Sequence, residues 1–260
     1  MTALDTRFEE QWKTRGWVCL VDLLPKSTVA RLPAWADAIS PQRAGEQERR
    51  LHYYEQTEHG PVLCRTERYV DDHRDLRDLI TRPPLVDIAA RLLGESAVLY
   101  KEKVNYKHPG GAGFAPHQDA MAYRFAQNHV TCLVAVDGMN EENGCLEFAR
   151  GTFASILPDD GDGCLDEASV GQLTWEPVPV PPGGVIFFSS LVPHRSGPNR
   201  SELPRRALYL TYNGRSTGDL REAYYEAREK EMRNTTGRGA SRISNIGHFQ
   251  GRPVCRDNES

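Results

Sequence analysis

The chain has 260 residues, 39% of them hydrophobic and 26% charged, with a formal net charge of −4; this balance fits one large domain or two small ones with a sizeable core. The negative charge gives no support to general nucleic-acid binding, and no apolar run approaches the roughly 18 residues of a membrane helix. The N-terminus, MTALDTRFEEQWKTRG, is charged throughout and lacks a secretory apolar core, so the expectation is a cytoplasmic protein, monomer or homodimer, acting on a small molecule.

In chain order, TRFEEQWKTRG has helical spacing, with Phe8 and Trp12 four apart and Gly16 as its stop. WVCLV reads as a short strand. PKSTVARLPAWADAI reads as a helix that Pro33 breaks or kinks. PQRAGEQERR is polar and exposed, and HGPVLCRTERYV holds a strand. DDHRDLRDLI and PPLVDIAARLLG are two short helices, the second stopping at Gly94.

From about residue 96 the pattern changes. SAVLYKEKVNYKH alternates apolar and polar side chains, as a half-buried strand does. HVTCLVAVD, VIFFSS and RRALYLTYN are further strands, and Asn143-Gly144 is a tight-turn signal between VAVDGM and CLEFA. Short strands joined by Gly, Pro and Asn turns indicate an antiparallel sandwich or barrel. DLREAYYEAREKEM is a charged helix, expected as an outer support, and the Gly- and Ser-rich tail is irregular. The six cysteines are scattered without a C-x-x-C pair and are expected as thiols.

Within APHQDAMAY, His117 and Asp119 are one residue apart, and His194 lies far downstream, directly after VIFFSS. A lone H-x-D is a weak signal. With a distal histidine it matches the two-histidine, one-carboxylate facial set of non-haem iron(II) oxygenases. Two neutral imidazoles and one carboxylate leave the ion cationic, with three adjacent positions open for a chelating cosubstrate and dioxygen. In a strand, residues i and i+2 point to one side, which lets His117 and Asp119 grip one ion. Arg205 and Arg206 follow on the next strand, and a guanidinium offers a planar fork to the far carboxylate of a diacid. They lie on opposite faces, and periodicity alone does not say which face looks inward.

The blocks KEKVNYKHPGGAGFAPHQDAMAY, VAVDGMNEENGCLEFARGT and PPGGVIFFSSLVPHRSGPNRSELPRRALYLTYN resemble the phytanoyl-CoA dioxygenase family. The resemblance implies a mainly β fold with flanking α-helices around a double-stranded β-helix, or jelly-roll, core. It implies one domain, with 1–95 as helical support, 96–213 as the core and 214–260 as C-terminal helix and tail. It implies iron(II), 2-oxoglutarate and dioxygen, with His117, Asp119 and His194 as ligands. Arg205, eleven residues after the distal histidine, is expected to hold 2-oxoglutarate, with Arg206 as the fallback. The block Ala149-Arg150-Gly151-Thr152-Phe153 departs from the Pro-Gly-Ser-His of relatives, in a loop that lies near their substrate mouth.

Thr131 and Asn105, on flanking strands, are candidates to hydrogen-bond the cosubstrate, or are ordinary strand polar groups. Lys101, Lys103 and Lys107 alternate on one strand. Either they form a solvated face, or one of them, Lys103, meets an anionic group. Tyr106, Tyr123 and Arg124 are candidate substrate contacts, Arg65 and Arg68 candidates at the entrance, and His129 a possible supporting group behind the ligands. The expected activity is hydroxylation of a small anionic molecule, and YNGRSTGDLREAYYEAREKEM followed by ISNIGHFQG resembles the organophosphonate-type branch of the family more than its acyl-CoA branch, which implies an organophosphonate. The alternatives are a natural-product tailoring oxygenase, a jelly-roll binding module that has lost its chemistry, and a cupin-like hydrolase or isomerase. All three ligands are present, which weighs against the module, and the arginine would have no task in the hydrolase.

Overall fold

The computed structural model describes residues 6–41, 49–57, 60–123, 128–161, 163–235 and 252–253. Arg124 lies outside the described residues, as does nearly all of the tail after Thr235.

Helix α1 (Thr6–Arg15) buries Phe8 and runs into β1 (Trp17–Leu20). The expected single helix after it is two, α2 (Lys26–Val29) and α3 (Leu32–Ala38). Pro33 stands in the first turn of α3, where its missing N–H has no helical partner to lose. A hairpin follows, β2 (Leu51–Thr57) and β3 (Gly60–Glu67), then helices α4 (Arg74–Thr81) and α5 (Leu85–Leu93). Next come β4 (Ala97–Lys107), β5 (Phe114–His117), a 3-10 turn at Asp119–Ala122, β6 (His129–Ala135) and β7 (Leu146–Ala149). Then follow α6 (Glu167–Gly171), β8 (Trp175–Val178), β9 (Val185–Ser189), β10 (His194–Ser196), β11 (Arg205–Gly214), α7 (Arg221–Thr235) and β12 (Arg252–Pro253).

The strands form two antiparallel sheets. The large one runs β1-β9-β6-β11-β4-β3-β2-β12 and the small one β5-β10-β7-β8. This is the expected β-rich jelly-roll arrangement with flanking helices. The large sheet is buried on both faces, which is why every residue of β6 is buried. Val130, Cys132, Val134, Leu208, Leu210 and Val104 pack outward with Leu32, Trp35, Leu76, Ile80 and Ile88 of the helical layer. Leu133, Ala135, Ile186, Phe188, Ala207 and Tyr209 pack inward with Leu146, Phe148 and Val178 of the small sheet. The candidate site lies in this inner space.

Two sequence expectations change here. Asn143-Gly144 does turn the chain, with the Asn140 and Asn143 side chains each accepting the other's backbone N–H. Yet β6 and β7 are not hairpin partners, because the turn carries the chain from the large sheet to the small one. The lysines of β4 are not a solvated face: Lys101 and Lys107 are buried and Lys103 opens onto the cavity between the sheets. Their neighbours on the strand alternate into the helical layer, so the polar side of β4 faces an interior.

Candidate active site

β5 ends at His117, and the strand expected to carry both members of the H-x-D pair stops there. Gln118 remains extended, at φ −115° and ψ 128°, and Asp119 opens the 3-10 turn. One extended step is enough to leave His117 and Asp119 on one side. Between them, the buried Gln118 points the other way. Its amide donates to the carbonyls of Leu191 and Ser155, and its oxygen accepts from the N–H of Leu157 at 2.7 Å. His194 starts β10, paired in register with His117 on one side and Phe148 on the other. The topology thus closes the 77-residue separation between the histidines.

One ligand atom from each of His117, Asp119 and His194 lies within 4.8 Å of the other two, and all three residues are buried. The imidazole rings are 4.2 Å apart between centroids. Each Nδ1 faces a backbone carbonyl two residues upstream, Ala115 at 2.7 Å for His117 and Val192 at 3.0 Å for His194. Donation to those carbonyls fixes the proton on Nδ1 and leaves the Nε2 lone pair for a metal. The carboxylate is similarly set. Oδ2 of Asp119 accepts from the Thr131 hydroxyl at 3.1 Å, while Oδ1 lies 4.0 Å from Nε2 of His117. Burial lowers His117 to a pKa of about 3, helped by His194, and lowers His194 as well, so both rings are neutral donors. Burial alone raises the Asp119 pKa, but the positive charge around it, Lys101 and Lys103 included, outweighs burial and holds the carboxyl ionised. Two neutral imidazoles and one carboxylate suit a first-row divalent ion with open positions.

A cavity adjoins the three residues, lined also by Lys103, Asn105, Phe114 and Tyr209. On β11, Arg205 shares the inner face with Ala207 and Tyr209. It is 1% exposed, donates from Nη2 to the Gly144 carbonyl at 2.6 Å, and its Nε has no partner among the described residues. Arg206 turns the opposite way and is held by Asp137, at 2.8 Å from Nε, and by Asp37. The structure therefore separates the two candidate arginines and places only Arg205 on the site face.

The other candidates divide too. Asn105 lines the cavity and accepts from Nε of Arg65 at 3.1 Å. Tyr123 is buried near the carboxylate, its hydroxyl 3.4 Å from that of Thr211. Tyr106 is not brought to the site: it lies on the helical face of β4, and its hydroxyl donates to Ala36 at 3.0 Å. Arg68 reaches α7 instead, pairing with Glu222 at 2.8 Å and with Glu229. Lys107 donates to Ser196 at 2.9 Å and to the Gly197 carbonyl. His129 is fully buried between Tyr100 and Tyr123, with neither ring nitrogen bonded among the described residues. Glu67, Tyr209 and Tyr224 were not singled out from the sequence. Glu67 ends β3, two strands before β5, Tyr209 lies on β11, one strand after β10, and α7 carries Tyr224, so spacing from the H-x-D pair gives no signal for any of them.

Comparison with known proteins agrees with this geometry. The phytanoyl-CoA dioxygenase family matches residues 12–207. A methylphosphonate hydroxylase of Gimesia maris is 44% identical over 248 residues, covering 94% of this chain and 95% of that protein. A 2-aminoethylphosphonate dioxygenase of an uncultured bacterium, HF130_AEPn_1, is 37% identical over 225 residues, covering 85% and 86%. Among solved structures, AviO1 from Streptomyces viridochromogenes Tue57 superposes with a TM-score of 0.66 at 25% identity, covering 82% of this chain and 96% of that one. EctD from S. alaskensis, solved with bound Fe, shares the fold with a TM-score of 0.71 at 20% identity, covering 82% and 78%. The chain belongs to the phytanoyl-CoA dioxygenase family and is an oxygenase of the iron(II)- and 2-oxoglutarate-dependent class.

Proposed function

We propose that the protein hydroxylates a small organophosphonate, with His117, Asp119 and His194 holding iron(II) and Arg205 holding the far carboxylate of 2-oxoglutarate. The convergence of two Nε2 lone pairs and one carboxylate oxygen on a shared cavity carries this reading. The relatives named for methylphosphonate and 2-aminoethylphosphonate support the substrate class. Iron(II), 2-oxoglutarate and dioxygen together supply the oxidant. Overall, substrate C–H, 2-oxoglutarate and O₂ become C–OH, succinate and CO₂, which balances without any further reductant.

The protein's own part is placement. The Ala115 and Val192 carbonyls orient the two imidazoles, and Thr131 holds one carboxylate oxygen so that the other faces the histidines. Arg205 approaches from the neighbouring strand with a guanidinium already desolvated, so an incoming carboxylate meets a charge stripped of water. Lys103 and Asn105 line the part of the cavity left for substrate. Phe148, Phe188 and Leu146 close the space around the histidines and exclude water.

The test is anaerobic loading with iron(II) and 2-oxoglutarate, then addition of oxygen with methylphosphonate. Succinate should form in step with a new phosphorus resonance from a hydroxylated product. Succinate release that no phosphonate stimulates above the substrate-free rate would refute the assignment.

A further inference from the structure

The inner face of the large sheet changes character across its width. Toward β1 and β9 it presents Trp17, Ile186 and Phe188. Toward β4 and β3 it is a wall of cations. Lys103 lines the cavity beside the three ligand residues. Lys101 stands two residues before it, with Nζ 4.8 Å from the Tyr123 ring centroid, and Nζ of Lys103 is 5.0 Å from that of Tyr209. Across the ladder, Arg65 pairs in register with Asn105 and Glu67 with Lys103. Arg228 of α7 adds its charge to the same group.

Negative charge is scarce here. Asp119 is committed to the ligand set. Glu67 faces the lysines and is shared: Arg65 lies 3.5 Å from it and the Tyr224 hydroxyl donates to it at 3.4 Å, while Glu55 stands on the other side of Arg65 and Asn105. Aromatic faces soften an ammonium without neutralising it. Burial depresses the pKa of Lys103 far below that of a free lysine, and Arg65 and Lys101 push it further. Lys101 is depressed by burial too, although Asp119 and Glu67 oppose the change. Desolvated cations crowded in this way demand an anion between them. The cavity must also admit a five-carbon diacid, so the space left suits a substrate of few atoms.

Resting on the phosphonate reading above, we infer that Lys101, Lys103 and Arg65 receive the phosphonate oxygens and restrict the site to phosphonates whose carbon chain carries no positive charge. The wall thus acts as both anchor and filter: it attracts the dianionic headgroup and repels an amino substituent held a few bonds away.

Two isosteric pairs isolate charge from size: ethylphosphonate against aminomethylphosphonate, and propylphosphonate against 2-aminoethylphosphonate. Equilibrium binding is measured by calorimetry on the enzyme loaded anaerobically with iron(II) and 2-oxoglutarate, and kcat/KM by succinate release. The uncharged member should bind at least tenfold more tightly in the pair that fits, with kcat/KM following. Lys103→Gln and Lys101→Gln should each weaken ethylphosphonate binding about tenfold and narrow the gap within a pair. Far-ultraviolet circular dichroism and the melting temperature separate this from misfolding. Equal or tighter binding of the amino member would overturn the inference while leaving phosphonate hydroxylation standing. Unchanged affinity in both folded lysine variants would overturn the anchor. Failure to bind or oxidise methylphosphonate or any of the four would instead refute the phosphonate reading beneath it.

Discussion

At the scale of single residues, function depends on which atoms are left free. Removing either close ligand, by His117→Ala or Asp119→Ala, should abolish succinate formation and metal binding while leaving the circular dichroism spectrum intact. Turnover retained by either variant would disprove the ligand set. Thr131→Val frees Oδ2 of Asp119 and should weaken iron binding by about 10–100-fold, the usual consequence of losing a partner behind a ligand. Arg205→Ala should raise the KM for 2-oxoglutarate at least tenfold, whereas Arg206→Ala should leave it unchanged, because its guanidinium is spent on Asp137 and Asp37. His117, Asp119, His194 and Arg205 were legible in the sequence as candidates because each sits in a block with a distinctive neighbourhood. The face of Tyr106 was not. Closeness to the candidate ligands along the chain reads as nearness, whereas in a strand adjacent side chains point to opposite layers.

At the scale of elements, α7 behaves less like an outer support than like a clasp. Glu102 of β4 is 0% exposed, and Arg221, at the start of α7, donates to it from Nε at 2.9 Å and Nη2 at 2.6 Å. The N–H of Val70 and the hydroxyl of Tyr225 complete the set. Burial raises the Glu102 pKa, with Arg221 pulling it back. Arg221→Ala strands this carboxylate and should cost about 3–5 kcal/mol of unfolding free energy. Denaturant curves check this, and pairing the change with Glu102→Gln should recover part of the loss. Gly144 is a second such point. Its φ is +72°, and a Cβ there would lie 2.2 Å from the Gly197 carbonyl oxygen. Gly144→Ala should therefore destabilise the turn by about 1–3 kcal/mol and weaken 2-oxoglutarate binding, because the Gly144 carbonyl positions Arg205. Strands with alternating or unbroken apolar residues, such as β6, β9 and β11, declare themselves in the sequence. β2 and β8 do not: β2 buries His52 and Glu55, and β8 is an edge strand carrying Pro177.

At the scale of the whole molecule, the fold gathers histidines that cannot easily charge. His117 and His129 are each lowered to a pKa of about 3, chiefly by burial, and His194 is lowered as well. The unfolded chain takes up protons at these positions near pH 6.5, whereas His117 and His129 in the native protein do so only near 3. Stability is therefore complete above 6.5 and falls as the pH drops through that interval. Melting temperatures of the metal-free protein should decline steeply from pH 6.5 to 4. His129→Phe keeps the packing between Tyr100 and Tyr123, loses no hydrogen bond among the described residues, and should flatten part of that decline. An unchanged acid slope would count against the buried neutral imidazole. The jelly roll itself was legible from turn-punctuated strands and the resemblance. The crossing of sheets at Asn143-Gly144 was not, because a turn signal says that the chain reverses but not which partner awaits it.

Gln118 shows how closely the two halves of the ligand set are coupled. One amide group spans the segment bearing the first two ligands, the loop after β7 and the bend that launches His194. Gln118→Glu would replace its donor with a carboxylate facing two carbonyl oxygens, prising that bend outward without altering any ligand. The alignment of the distal imidazole is thus under the control of a side chain that never meets the ion, and iron affinity in this variant should drop although every donor atom is still encoded.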